Sequence, residues 1–239
     1  MRMSIAKRDF IADMKILAKP RAVIFDWDNT LVDTWPLIHA ALVETLVKFD
    51  KEPWTLEQTK ARVAKSMRDS FPELFGNEWE RAAQFYQERY RGMHLQQLSA
   101  LPQAEELVKR VHALGLYSVV VSNKKGPSLR LEVDHMHWRS LFDEVVGADD
   151  AARDKPFSDP VLLAFEKSDI ELGEHVWFFG DSAVDLECAK ATGCTAILYG
   201  EEARAQPDCD DTSFRGFPFH AYVATHGDSM RLLETALKR

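Results

Sequence analysis

Two aspartates, Asp26 and Asp28, follow directly on the apolar run Ala22-Val23-Ile24-Phe25, and that junction constrains the chain more than any other stretch. The run is short, rich in β-branched and aromatic residues, and closed by the polar Asn29 and Thr30. It predicts a strand buried on both faces of a parallel sheet. Ligands of such folds collect at the carboxyl ends of the strands. A carboxylate pair there can face one crevice, with one group as nucleophile and the other as acid/base or metal ligand. Taken alone, the pair also fits a solvated acidic turn.

Three later segments share the pattern. The β-type run Tyr117-Ser118-Val119-Val120-Val121 ends in Ser122-Asn123-Lys124-Lys125-Gly126, a hydroxyl, an amide and two cations suited to phosphate oxygens. Lys155-Pro156 follows the strand candidate Glu144-Val145-Val146-Gly147 and offers a point charge on a chain stiffened by proline. The run His175-Val176-Trp177-Phe178-Phe179 leads into Gly180-Asp181-Ser182-Ala183-Val184-Asp185. That places one carboxylate at a strand end and another in the first turn of the next helix, where the two can share a cation.

In order and content these four segments resemble the haloacid dehalogenase superfamily, in its branch of small-molecule phosphatases similar to phosphoglycolate phosphatase. The likeness spans most of the chain. It implies that Asp26 is the nucleophile and Asp28 the general acid/base, with Ser122 and Lys155 on the phosphoryl group and Thr30 holding the nucleophile loop. Magnesium would be held by Asp26, the backbone carbonyl of Asp28, and Asp181, with Asp185 as a direct or water-bridged support. Asn29 stands where many relatives have glycine, and Ser158 stands where a second proline is often seen two residues after Pro156. Asparagine tolerates the turn conformation that glycine would adopt.

Charge explains why these residue types belong together. Two carboxylates about 4 Å apart repel by about 4 kcal/mol at an effective dielectric near 20. Four carboxylates and a phosphate therefore need a divalent cation with a taste for oxygen, and a lysine for the remainder. Ser122 and Asn123 then act as hydrogen-bond donors. Asp28 separates the chain from true dehalogenases, because a halide leaves without a proton and an alkoxide does not.

Between the first and second motifs the period turns helical. Leu37, Ile38, Ala41, Leu42, Leu46 and Phe49 make one stripe, and Trp79, Ala82, Ala83, Tyr86, Tyr90 and Met93 another. Thr55 with Gln58, and Asn77 with Glu80, carry capping-box patterns. A helix over 102–114, stopped by Gly115, restores the alternation. The expected architecture is α/β: a Rossmann-like parallel sheet with helices on both faces, comprising 1–33 and 99–239, with a helical cap inserted over 34–98. Within the cap Arg62, Lys65 and Arg68 form a basic run. Arg68, expected near the end of its helix, is the candidate for an anionic substrate tail; otherwise the run is a solvated helix face.

With 239 residues, 46% of them hydrophobic, the chain can bury a full core, and a net charge of −8 disfavours a nucleic-acid partner. No apolar run reaches the roughly 18 residues of a membrane span. A cytoplasmic enzyme acting on a small phosphate ester is expected, with its oligomeric state open. Residues 1–19 read as a packing helix, with Phe10, Met14 and Leu17 at helical spacing. Cys188, Cys194 and Cys209 lack metal-type spacing and read as reduced. His135 and His137 point to different helix faces and read as surface or core-edge residues. Asp149, Asp150 and Asp154 read as a solvated loop, Trp27 as packing beneath the aspartates, and 201–218 as irregular. Two other activities share the motifs: a sugar phosphomutase, which would retain a bisphosphate intermediate, and a non-catalytic phosphate-binding module.

Overall fold

The computed structural model describes residues 17–63 and 66–238. The helix expected over 1–19 falls almost wholly outside these residues, as does Lys65. β1 (Ala22–Phe25) is buried at every position, and its alternate side chains feed two separate cores. Val23 and Phe25 face α5 (Ala104–Ala113), α6 (Gly126–His135) and α10 (His226–Leu237). Ala22 and Ile24 face α7 (Asp159–Phe165) and α8 (Ala183–Ala191). This is why the run reads as continuously apolar: a strand covered on both sides has no solvent face to mark with polar residues.

The other strands of the sheet are β4 (Tyr117–Lys125), β5 (Glu144–Ala148), β6 (Val176–Gly180), β7 (Thr195–Tyr199) and β10 (Ala221–Val223). All six pair in parallel, in the order β10-β7-β6-β1-β4-β5. From β1 the chain builds outward through β4 and β5, then returns to the opposite side of β1 for β6 and the rest. The connections diverge there, opening a crevice at the carboxyl ends of β1, β4 and β6. The α/β fold with helices on both faces agrees with the sequence.

β2 (Val32–Asp33) and β3 (Ser99–Ala100) pair antiparallel, so the chain leaves the sheet layer and returns at one point. Between them lie α1 (Trp35–Lys48), α2 (Leu56–Arg62), α3 (Met67–Phe75) and α4 (Trp79–Gln97). Leu42, Leu46, Phe71, Phe75 and Ala82 bury one cluster here, and Leu37, Ile38, Ala41 and Tyr90 another. Thr55 and Gln58 form the expected capping box, at 3.2 and 2.9 Å. Asn77 does not cap α4: it lies in a 3-10 turn over Gly76–Glu78, and Glu78 takes the cap position without a side-chain bond.

Three further expectations are corrected. Arg68 lies in the first turn of α3, not near a helix end, because Ser66 starts a new helix there. Asp154 is buried and pairs with Arg68, whereas Asp149 and Asp150 of the same loop are exposed as expected. The 201–218 stretch is ordered into α9 (Glu201–Arg204) and a hairpin of β8 (Ser213–Phe214) and β9 (Phe217–Pro218). His135 and His137 are exposed, as expected.

Candidate active site

Asp26 follows β1 directly, and its backbone N–H still donates to Phe179 of β6 at 2.9 Å, which fixes the carboxylate over the sheet edge. Asn29 then turns the chain with a φ of 60°. Its Oδ1 accepts from the N–H groups of Thr34 and Trp35, both at 3.2 Å, at the start of α1. One residue therefore shapes the nucleophile loop and starts the helical segment.

Asp26, Asp181 and Asp185 come together, with carboxylate oxygens within 4.8 Å of one another. Lys155 Nζ sits among them, 2.7 Å from Asp26 Oδ1 and 2.6 Å from Asp185 Oδ1. The second oxygen of Asp185 accepts from Ser182 Oγ at 2.6 Å and from the Ser182 N–H at 3.1 Å, closing a capping box on α8. Gly180 makes this possible, since a Cβ there would overlap the Asp185 side chain. Thr30 is fully buried and donates to Asp181 Oδ1 at 3.3 Å, so it orients a carboxylate and does not face the cavity.

Crowding shows in the acidities. Burial pushes Asp26 up to about 7; Lys155 opposes this, and Asp185 and Asp28 add to it. Asp181 is raised well above its ordinary value by burial, then by Asp26 and Asp185. For Lys155 burial acts downward, but Asp185 and Asp26 outweigh it and keep the group a firm cation. Fully ionised, the three carboxylates exceed the one ammonium by two negative charges, which is why the acidities of Asp26 and Asp181 are pushed up when no other cation offsets them. That donor set fits a divalent, oxygen-seeking cation such as magnesium.

Asp28 is turned out of this cluster. Its Oδ1 lies 2.6 Å from Lys124 Nζ, and Lys124 reaches Glu132 Oε2 at 2.6 Å and the Tyr90 hydroxyl at 2.7 Å. Glu132 is wholly buried; its carboxylate also accepts from Trp27 Nε1 at 2.7 Å and the Tyr90 hydroxyl at 2.9 Å, and contacts His94 Nδ1 at 2.8 Å. Burial pushes the Asp28 carboxyl up, Lys124 holds it down and Glu132 raises it, with a net upward shift. Lys124 thus lines the cavity while tied into an internal ion-pair cluster with Asp28 and Glu132.

Ser122 and Asn123 line a cavity of about 200 Å³ together with Asp26, Asp28, Lys155, Asp181 and Asp185. Ser122 Oγ accepts the Lys124 N–H at 3.2 Å, which leaves its own proton to donate. Asn123 donates one amide N–H to the Lys155 carbonyl at 3.0 Å and so steadies the lysine loop. Arg68 does not line the cavity; it contacts Asp154 at 2.7 Å and Asp149 at 3.5 Å.

A sequence profile of haloacid dehalogenase-like hydrolases matches residues 23–199. The chain belongs to that family. A phosphoglycolate phosphatase of Chromobacterium violaceum is 30% identical over 192 residues, covering 75% of this chain and 85% of its own. That of Cereibacter sphaeroides is 27% identical and covers 90% of this chain and 98% of its own. Among solved structures, a haloacid dehalogenase-like hydrolase from Bacteroides fragilis superposes with a TM-score of 0.78 at 20% identity, covering 88% of this chain and 100% of its own. CbbY from Rhodobacter sphaeroides, in complex with phosphate, gives 0.72 at 19%, covering 86% and 94%. The chain is accordingly an enzyme, a haloacid dehalogenase-like hydrolase similar to the phosphoglycolate phosphatases.

The sequence reading of this hydrolase missed Glu132, Tyr90 and His94 as a group. A signal was present: Glu132 stands between Leu129 and Val133 on the buried face of α6, and His94 lies one turn beyond Tyr90 on α4. A charged residue on an apolar helical face requires a buried partner.

Proposed function

We propose that the enzyme is a magnesium-dependent phosphatase that hydrolyses a small-molecule phosphate monoester through an aspartyl-phosphate on Asp26, and that it works in the cytoplasm. The observation that supports this most is Lys155 held between Asp26 and Asp185 in a cluster short of positive charge. Bound magnesium, on Asp26, Asp181 and the Asp28 carbonyl, would neutralise phosphoryl oxygens. Asp185 has both oxygens engaged by Lys155 and Ser182 and acts as a support.

An Asp26 carboxylate oxygen attacks phosphorus as the ester oxygen leaves with the Asp28 proton. Water then attacks the same phosphorus, gives its proton to Asp28, and releases phosphate with Asp26 restored. Lys155 and Ser122 offset charge on the transferring group. The helical segment 34–98 serves as the cap, covering the site against bulk water.

Phosphate release from a panel of small esters tests this reading: magnesium sustains turnover, and a chelator abolishes it reversibly. Turnover undiminished by chelation would refute the metal requirement. Asp28→Asn is expected to cost alkyl esters about a hundredfold more in kcat/KM than 4-nitrophenyl phosphate, since nitrophenolate leaves without a proton. Equal losses would remove Asp28 from the acid role.

A further inference from the structure

An ammonium carries three N–H donors, and three acceptors surround that of Lys124. The Glu132 carboxylate and the Tyr90 hydroxyl accept from Nζ at 2.6 and 2.7 Å, and Asp28 Oδ1 lies 2.6 Å away. The three come from separate parts of the chain: Glu132 from α6, Tyr90 from α4 of the helical segment, and Asp28 from the loop after β1.

Glu132 is the anchor of this group. Its Oε2 accepts from Trp27 Nε1 at 2.7 Å as well as from Lys124, while its Oε1 accepts from the Tyr90 hydroxyl at 2.9 Å and contacts His94 Nδ1 at 2.8 Å. Trp27 immediately precedes Asp28, and its ring is fully buried, edge-on to Trp138. One carboxylate therefore grips both the chain neighbour of Asp28 and the cation that Asp28 faces. Glu132 itself does not line the cavity, whereas Asp28, Lys124 and Tyr90 do. An aspartate past a strand end can occupy any staggered χ1 well. A cation fixed on one side selects among them, and here it draws the Asp28 carboxyl away from the cluster of Asp26, Asp181 and Asp185.

We propose that Lys124, Glu132 and Tyr90 are positioning residues for proton transfer, holding the Asp28 carboxyl in the orientation that serves the leaving oxygen. Because Tyr90 belongs to α4, the helical segment then helps to set the acid as well as to cover the site. This rests on the phosphatase reading above, with Asp28 as the acid.

Tyr90→Phe tests it, since the ring keeps its contacts with Tyr86 and His94 and only the hydroxyl between Lys124 and Glu132 is lost. The measurement is kcat/KM for the fastest alkyl ester of the small-ester panel and for 4-nitrophenyl phosphate, with the substitution made in the unmodified enzyme and in Asp28→Asn. General acid catalysis contributes about a hundredfold or more, and a misplaced acid forfeits part of it. The alkyl ester is expected to lose about tenfold and 4-nitrophenyl phosphate no more than about twofold. In Asp28→Asn the same substitution is expected to cost neither ester anything further, because Tyr90 acts through Asp28. Equal losses on both esters, no loss on either, or a further loss in Asp28→Asn overturns the positioning role and leaves the phosphatase reading standing. Asp28→Asn slowing both esters equally removes Asp28 from the acid role, and the positioning role falls with it.

Discussion

Asp26→Asn is expected to lower phosphate release by at least about a thousandfold, equivalent to about 4 kcal/mol of transition-state stabilisation. The amide keeps the shape of the side chain but cannot attack phosphorus. Stability should not fall with activity. Burial pushes the Asp26 carboxyl up to about 7, and Asp185 and Asp28 push the same way. Removing its charge relieves that strain, while Lys155 keeps Asp185 as partner at 2.6 Å. Steady-state kinetics with a thermal melt of the same sample check both parts. A variant that is stable and active would show that Asp26 is not the nucleophile.

Glu132→Gln carries the largest expected effect on stability, about 3 kcal/mol at neutral pH. Burial pushes the Glu132 carboxyl up, but Lys124, His94 and Trp27 outweigh it and hold the group at about 2, against an ordinary 4.5. A folded-state value below the unfolded one means that the ionised group stabilises the fold above pH 4.5. That contribution is lost as pH falls from 4.5 toward 2. Among the described residues the glutamine variant also leaves Lys124 with Asp28 as its one carboxylate neighbour, and breaking a buried pair from one side costs about 3–5 kcal/mol. Urea melts at pH 7 and pH 3 should show a gap that narrows in acid. A gap of the same size at both pH values would make Glu132 a packing residue, and no gap would remove it from the account.

The parallel sheet and the residues at its carboxyl ends were legible because strand burial and local order are written in adjacent residues. Ala22 to Phe25, Val176 to Phe179 and the carboxylates after them are each a few positions long. What Lys124 would meet was not legible. Its partners come from the loop after β1, from α4 and from α6, and only the fold brings Asp28, Tyr90 and Glu132 to one ammonium. Arg68 failed for a similar reason: a helix break after Arg62 reset its position, and the loop carrying Asp154 captured it. The 201–218 stretch looked irregular because its strands have two residues each, too few to show an alternation. Yet it brings Glu202, Phe214 and Arg215 to the cavity wall.

The central claim is a phosphoryl group carried on Asp26, and the most direct measurement is rapid acid quenching of the magnesium-loaded enzyme during turnover, followed by peptide mass mapping. The account predicts one added phosphoryl group on the peptide containing Asp26, absent from Asp26→Asn and lost on treatment with hydroxylamine. A phosphoryl group mapped to any other side chain, or full turnover with none trapped at the shortest quench times, would contradict it.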